Sequence, residues 1–555
     1  MSPRDADRSA SRRAARASLI VIVPLMIMFS GSLAGPHGRS VRVAPVTLEE
    51  VRRLRGMGLD LESWRGSRAR FYASPDQEEL LFHLGYLPLP EVRLEPLVPY
   101  PTLTDVYDSM DSVLTAHPDI CHGVVLGTSV EGRPIRAVVV SDHPGVEEVE
   151  PELRITGAIH GDEPASTTVT IYFLKSLTDN YGTSPMCTHL VDAAETWVVP
   201  VVNPDGYYAD ERYNANLVDL NRNLSYMWES SSYSGPYPFS EPETRAVRDL
   251  TMLSWPDIEN FENPFSTGLS LHGGEACFNY VWNYSSDPVP DTLEIVDMAA
   301  DYASLCTVPG FWVTEGWAWY VVNGDVNDWS YGECGTIDHT IEVHQDKHVS
   351  DWPAVNAAHY MAILDFFTSS THGLWGTVTT VGGDPLDALI SIGFSGDDPG
   401  DSEPLRFCRT DVLEGDYHRC VIPGTYDVTA SVEGYAPKTV YGVAVGEGED
   451  VEVSFVFGTG ISGAGACGPN PAIAVAANPA TSVCRLRYDT GGAPADIRIY
   501  DALGRLVLTA GVQAGIGEYA WDRGQAGRAG VPDGVYYARL ETAGGCATTS
   551  LVLVH

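Results

Sequence analysis

Residues 157–166, GAIHGDEPAS, set His160 three residues before Glu163 at the end of an apolar run. An imidazole and a carboxylate at that spacing can share a divalent cation, and they can equally occupy an ordinary turn. A zinc site that hydrolyses amides typically needs three protein ligands and one open position, so the pair requires a partner from elsewhere in the chain. The candidate is His272, which ends TGLSLHGG before Gly273 and Gly274, whose missing side chains would let a substrate backbone approach. Taken alone, His272 also reads as a structural histidine. HTIEVHQDKH offers rival donors in His339, His344 and His348; the last two have helical spacing, but TIEV ahead of them reads as a strand.

The flanking residues indicate what positions the pair. LRITGAI, Leu153 to Ile159, is a short apolar run closed by glycine-containing punctuation, and after Pro164 the residues Ala165, Val169, Phe173 and Leu177 recur every fourth position. The pattern predicts strand, tight turn, helix. Both side chains then stand at the carboxyl end of a strand, where open α/β sheets bind ligands. Over 99–370 apolar strands alternate with helical periods, ending in PAVNAAHYMAILDFF, which predicts an α/β catalytic domain with a mixed sheet flanked by helices. Two small all-β sandwich domains are expected after it. In 371–458, Tyr426, Val428, Ala430 and Val432 share one face of TYDVTASV; in 471–555, Ile497 and Ile499 alternate with Arg498 and Tyr500. Between them 459–470 reads as a linker. Ahead of the catalytic domain, 35–98 form a small Arg- and Glu-rich unit, with LEEVRRLRGMGLD as one amphipathic helix and VRLEPL as an extended exit, either a prosegment or a packed lobe.

The chain has 555 residues, enough for several domains, and a formal charge of −40. Its only lysines are Lys175, Lys347 and Lys438, and this balance excludes nucleic acid as a partner, since phosphate binding needs clustered Lys and Arg. Residues 1–34 read as a signal peptide: Arg12, Arg13 and Arg16 precede the apolar run Leu19 to Phe29, and Ser32, Leu33 and Ala34 form a small-residue cleavage site. The run is too short to cross a hydrocarbon core of about 30 Å. The mature form is expected to have no transmembrane helix and to be secreted or held at the cell surface. Ten cysteines permit disulfides there, and Cys408 and Cys420 in FCRTDVLEGDYHRC are the candidate pair, facing one another across a hairpin.

In chain order, TSVEGRPI, GAIHGDE, VVNPDGY, RYNANLVDLNRN, SEPETRA, LHGGEACFNYVWN and WYVVNGDVNDWSYGECGTIDHTIEV resemble the motifs of the zinc metallocarboxypeptidases, and within them the carboxypeptidase N/E branch, over about residues 100–458. The resemblance implies one Zn2+ ion held by His160, Glu163 and His272. It implies Glu342 as the general base that takes a proton from metal-activated water, and Arg212 as the charge that stabilises the tetrahedral oxyanion. Asn221 and Arg222 match the pair that grips the substrate's terminal carboxylate, and Tyr320 the mobile tyrosine that closes over it. Glu241 and Glu243 are then architectural, and Asp328 supports the pocket. The implied activity is hydrolysis of the C-terminal peptide bond of a peptide or protein substrate with a free C-terminus. The alternatives are a zinc amidohydrolase acting on peptidoglycan peptides or other acyl amino acids, and a non-catalytic surface-binding protein.

One departure bears on specificity. Members of that branch that prefer terminal Lys or Arg often carry a carboxylate where NYVWN places Asn283, and Asn327 supplies no charge either. A neutral or mixed preference is therefore expected, with Asn283 in the substrate pocket and Glu275 as a compensating charge. The unit at 371–458 resembles a transthyretin-like domain through GDYHRCVIPGTYDVTASVEGYAP. The last unit resembles a C-terminal sorting domain of the type IX secretion kind through NPATSVCRLRY, IYDALGRLV and DGVYYARL, which implies the secretion machinery or a surface attachment as partner.

Overall fold

Apolar residues fall at every second position of the strands in 121–344 and at every third or fourth position of the helices between them, so the two can cover one another only as layers. In the computed structural model they do so around an eight-stranded sheet. The structure describes residues 38–553 apart from 92–94, 252–264, 396–405, 433–434, 436, 459–471, 476–482, 491–493, 502–505, 523–533 and 543–544. The expected signal peptide and the linker lie outside the described residues.

The N-terminal unit comprises β1 (Arg39–Val43), α1 (Leu48–Gly56), β2 (Asp60–Arg65), β3 (Arg68–Ala73), α2 (Pro75–His83) and β4 (Leu89–Pro90). Each helix starts on a capping box, Thr47 with Glu50 and Ser74 with Gln77. The strands form an antiparallel sheet in the order β2-β3-β1-β4 over Val41, Val43, Leu54, Leu61 and Phe71. The amphipathic helix expected from the sequence is α1. Of the extended exit, residues 92–94 lie outside the described residues. The unit is more ordered than one helix and an exit, because the charged residues of β2 and β3 that disguise the strands pack against the catalytic domain.

The catalytic domain follows: α3 (Leu103–Ala116), β5 (Cys121–Thr128), β6 (Pro134–Val140), β7 (Glu152–Thr156), α4 (Pro164–Asp179), α5 (Pro185–Ala193), β8 (Glu195–Val199), α6 (Pro204–Ala209), α7 (Pro242–Thr251), β9 (Thr267–His272), β10 (Glu275–Tyr280), α8 (Thr292–Leu305), β11 (Trp312–Glu315), α9 (Gly316–Trp319), α10 (Val326–Trp329), β12 (Ile337–His344) and α11 (Trp352–Ser370). The sheet runs β11-β10-β12-β9-β7-β8-β6-β5. Its centre is parallel, and antiparallel joins at β10–β12, β8–β6 and β6–β5 make it mixed. β8 lies on one side of β7 and β9 on the other, so the crevice beyond their carboxyl ends is a switch point of the kind that binds ligands.

Strand alternation decides which residues face that crevice. Leu153 and Ile155 of β7, Leu269 and Leu271 of β9, and Ile341 and Val343 of β12 pack with Phe173 and Leu177 of α4 and Ile363 and Phe367 of α11. Their neighbours Arg154, Ser270, His272, Thr340 and Glu342 therefore project from the opposite face. Arg154 and Asp338 form a buried ion pair there, tying β7 to β12 across β9. His272 and Glu342 are direct register partners.

A β unit follows, with β13 (Gly373–Thr380), β14 (Ala388–Phe394), β15 (Arg406–Arg409), β16 (Asp416–Arg419), β17 (Gly424–Val432), β18 (Lys438–Val445), β19 (Asp450–Glu452) and β20 (Phe455–Phe457). Two sheets, β16-β13-β19 with β20 also on β13, and β15-β14-β17-β18, enclose one core that includes Val378, Ile390, Tyr426, Val428 and Phe455. Cys408 and Cys420 are free thiols. The expected bond across a hairpin is absent because β15 pairs with β14 while β16 pairs with β13, so the chain crosses between sheets. Arg419 pairs with Asp291 of the catalytic domain, and Arg406 Nε lies 3.0 Å from Glu294 Oε1 and 3.4 Å from Asp291 Oδ1. The last unit places its described strands, between Ala472 and Leu553, in two sheets around Leu486, Ile497, Ile499, Trp521 and Leu540. Among the described residues no helix is long and apolar enough to cross a membrane.

Asp291 also accepts the Tyr331 hydroxyl at 2.6 Å, and its loss strands the buried Arg419 guanidinium at the domain seam, while Arg406 keeps Glu294. Asp291→Ala should cost about 3–5 kcal/mol, read as a lower urea midpoint; an unchanged midpoint would mean that the seam adds nothing to stability.

Candidate metal centre and active site

β7 ends at Thr156 and the chain turns through 157–163 before α4 begins at Pro164. This turn lies backbone to backbone on α6. A Cβ on Gly161 would stand 1.9 Å from the Gly206 carbonyl carbon, so only glycine fits between His160 and Glu163 at this position. Glu163 occupies the N-cap of α4 but makes no capping bond. Its carboxylate turns into the crevice instead.

There the donors converge. His160 Nδ1 lies 3.0 Å from Glu163 Oε1, His272 Nδ1 lies 3.1 Å from Glu163 Oε2, and the two Nδ1 atoms are 3.2 Å apart. All three residues are buried. Burial opposes the charge of Glu163, but His160, His272 and Lys347 outweigh it and hold the carboxyl well below its ordinary range. Burial also lowers His272, keeping its ring neutral. His160 Nε2 lies 3.1 Å from Asp219 Oδ1, a carboxylate placed to fix the orientation of the ring.

Arg212 closes one side of this group. Its Nη1 lies 3.1 Å from His160 Nδ1, and its Nε and Nη2 donate to Asp219 Oδ2 at 3.1 and 2.8 Å. Lys347 closes another, with Nζ 2.8 Å from Asp162 Oδ2 and 3.6 Å from Glu163 Oε1. Both cations also meet the N-terminal unit. Asp60 Oδ2 is 3.3 Å from Arg212 Nε, and Glu62 pairs with Lys347 while lying 3.7 Å from Arg212 Nη1. Leu61, between these carboxylates, points into the unit's own core, and the register with β3 shifts at Glu62, a bulge that aims its side chain outward.

The other residues anticipated from the sequence border the same cavity of about 530 Å³: Asn221, Arg222, Asn283, Tyr320 and Glu342. Asn221 follows Asp219, whose Oδ1 accepts the Asn221 backbone N–H at 2.9 Å, and its own Oδ1 accepts from Val326 N at 3.0 Å. Arg222 Nη1 donates to the Asn221 carbonyl at 2.7 Å. Tyr320 donates its hydroxyl to the Glu62 carbonyl at 2.9 Å. Glu342 Oε2 accepts Glu275 N–H at 3.2 Å.

The rival histidines are elsewhere: His339 is buried beside Phe278 and Phe366, His344 Nδ1 accepts from Asp346 N at 3.0 Å, and His348 lies 3.0 Å from Asp210. Glu275 does not border the cavity as the expected compensating charge; its carboxylate lies 3.3 Å from Arg65 on the N-terminal unit. Sequence reasoning missed Asp219, Lys347, Asp60 and Glu62. A ligand histidine signals that some carboxylate must support it, but not which one.

Residues 106–363 match the zinc carboxypeptidase family model, peptidase family M14. Over those residues the chain is similar to the zinc carboxypeptidases. Carboxypeptidase SOL1 of Arabidopsis thaliana is 29% identical to this chain over 380 residues, covering 64% of this chain and 72% of that protein. Carboxypeptidase D of Anas platyrhynchos is 30% identical over 376 residues, 61% of this chain but 25% of that protein's length. The crystal structure of carboxypeptidase A from Helicoverpa armigera shares the fold, with a TM-score of 0.50 at 18% identity over 60% of this chain and 97% of that one.

The protein is thus a hydrolase of the peptidase class with one zinc ion as its cofactor. Its donors fit that ion. Tetrahedral zinc with bonds of about 2.0–2.1 Å separates its ligands by about 3.3 Å, close to the separations of His160, Glu163 and His272, and one anionic carboxylate with imidazole nitrogens is a suitable donor set. Elemental analysis should find one zinc per chain and well below one in His272→Ala. Asp219→Ala should weaken zinc about 10- to 100-fold in chelator competition; unchanged affinity would show that Asp219 does not orient His160.

Proposed function

We propose that this carboxypeptidase removes the C-terminal residue of peptides or proteins outside the cell, with zinc held by His160, Glu163 and His272. The observation that carries this reading is Arg222. It borders the same cavity as the three donors and, among the described residues, has no carboxylate within ion-pair distance. A buried guanidinium of that kind suits a terminal carboxylate, which it can hold through two parallel charge-assisted bonds. Asn221, fixed by Asp219 and Val326 N, stands beside it.

When bound, zinc supplies Lewis acidity at the scissile carbonyl and acidifies the water there. Glu342 accepts a proton from the attacking water and returns it to the departing amine. Burial, with Glu163 and Glu275 nearby, raises its carboxyl to about 8, which suits a group that must both take and give a proton. Arg212 offers fixed positive charge to the developing oxyanion. Tyr320 covers the substrate once it is seated.

Residues 38–91 fit the role of an inhibitory prosegment. Asp60 and Glu62 engage Arg212 and Lys347, and the Glu62 carbonyl holds the Tyr320 hydroxyl, so the unit and a substrate compete for the same groups. The transthyretin-like reading of 371–458 makes that unit a structural partner of the catalytic domain, in keeping with its two buried arginines on Asp291 and Glu294. The sorting-like reading of the last unit, with the signal peptide, assigns the protein to a secreted or surface location.

Mass spectrometry of peptides with free and amidated C-termini tests the activity. Single residues should leave free ends only, and Glu342→Gln should slow the loss by about 10²–10⁴-fold. Equal cleavage of amidated ends would remove the role of Arg222 and favour an amidase acting on other acyl groups. Asp60→Asn with Glu62→Gln should raise kcat/KM by about 10- to 100-fold; no rise would leave residues 38–91 a packed lobe.

A further inference from the structure

β7 leads to His160 at its carboxyl end, and its first residue belongs to a different group of side chains. Glu152 is the register partner of Glu195 at the start of β8, so two carboxylates point the same way from adjacent parallel strands. Partly buried Glu147, on the loop before β7, and Asp411 and Asp416, at the turn from β15 to β16, stand against them. Glu152, Glu195, Asp411 and Asp416 are each at most 7% exposed. Here the catalytic domain and the first β unit meet acid against acid, whereas Arg419, three residues along β16, meets Asp291 with matched charge.

Among the described residues no lysine or arginine forms an ion pair with any of these five. Arg154, the next side chain on that face of β7, is committed to Asp338, and Arg409, at the end of β15, stands by Cys334. His418 Nε2 lies 2.9 Å from Asp416 Oδ2, but burial lowers the ring to about 3 and keeps it neutral, so it brings a hydrogen bond and no charge. Asp411 accepts the backbone N–H groups of Leu413 at 2.9 Å, Glu414 at 3.0 Å and Asp416 at 3.2 Å, and Trp197 Nε1 donates to Glu195. Glu150 takes the Ser141 hydroxyl at 3.1 Å, Asp142 and Glu148 share His143, and Glu414 is exposed. No N–H or hydroxyl reaches the buried Glu152 Oε1 or Asp416 Oδ1. What remains is carboxyl to carboxyl: Glu147 bonds Glu152, and Asp411 bonds Asp416, which two such groups do only when one carries a proton. A cation would need several of these oxygens around one point, and among the described residues they do not gather so closely.

We propose that this face of the seam is a proton latch: Glu147 with Glu152, and Asp411 with Asp416, hold the β15–β16 turn against the start of β7 while each pair keeps a proton, and release it when the protons leave. Burial and the neighbouring carboxylates raise Glu147 to about 8, and raise Glu152 and Asp416 well above the ordinary carboxyl range. These carboxyls hold protons more tightly folded than unfolded, so the latch contributes in full below about pH 4.5 and loses that contribution as the pH rises toward 8. Beyond that range bare charges face one another away from water, and the turn parts from β7. Arg419 and Arg406, paired with Asp291 and Glu294, keep the two units joined, which confines the opening to the acidic face.

Hydrogen–deuterium exchange of the full chain, read by mass spectrometry and corrected for the intrinsic pH dependence of exchange, tests the latch. Amides of residues 413–419 and 147–152 should lose protection by about 10- to 100-fold between about pH 6 and about pH 8.5, while those of α4 keep theirs. Glu152→Gln with Asp416→Asn, which supplies N–H donors in place of the protons, should hold protection at both pH values. Glu147→Gln, at the less buried position, should reduce the loss and serves where the double variant does not fold. Equal protection of the native chain at both pH values overturns the proposal, as does a loss of native size in the variants. Recovery of protection at the higher pH on adding calcium also overturns it, since a cation would then be what these oxygens lack.

Discussion

The buried carboxylate of Glu163 is the constraint on which the centre of this molecule depends. A carboxylate withdrawn from water is tolerated only when opposite charge and hydrogen-bond donors replace its hydration. Two imidazole nitrogens, the Gly273 N–H at 3.1 Å, Arg212 and Lys347 all converge on it. Each cation so recruited is itself buried and needs an anion. Asp219 serves Arg212, and Asp162 serves Lys347. The compensation therefore spreads outward in alternating sign until it reaches the N-terminal unit.

The sheet makes this geometry reproducible. His272 and Glu342 owe their juxtaposition to the parallel register of β9 and β12, and their common face to strand alternation. Helices α4 and α11 cover the other face with a dry apolar layer, so slippage by one residue would bury the polar set there and expose the apolar one. The Arg154–Asp338 pair adds a directional tie among strands that apolar packing alone would hold with less specificity.

The N-terminal unit and the first β unit are joined to the catalytic domain by the same device, a buried arginine or lysine on a carboxylate, with different consequences. At the β seam, Arg406 and Arg419 meet Asp291 and Glu294 away from the cavity, and the contact is architectural. At the N-terminal seam the cations, Arg212 and Lys347, also lie 3.6 Å from Glu163.

Several of these features were legible along the chain because they are local. The strand, turn and helix around His160 and Glu163, the four-residue period of α4 and the alternation in β17 all depend on residues within a few positions of one another. The order of seven motifs then suggested a family resemblance, and the residues it implied border one cavity. Contacts across the fold were not legible. His160 and His272 are 112 residues apart, and Glu62 and Lys347 are 285 apart, so their meeting depends on which strands become neighbours. The Cys408–Cys420 hairpin failed for that reason, since strand pairing in a sandwich follows the sheets and not sequence proximity. Local pattern determined the elements, and the family motifs named the chemistry. Only the tertiary structure decided that Asp219 supports His160, that β2 enters the active site, and that carboxylates of two units meet around Glu152, because each follows from side chains that packing alone brings within reach.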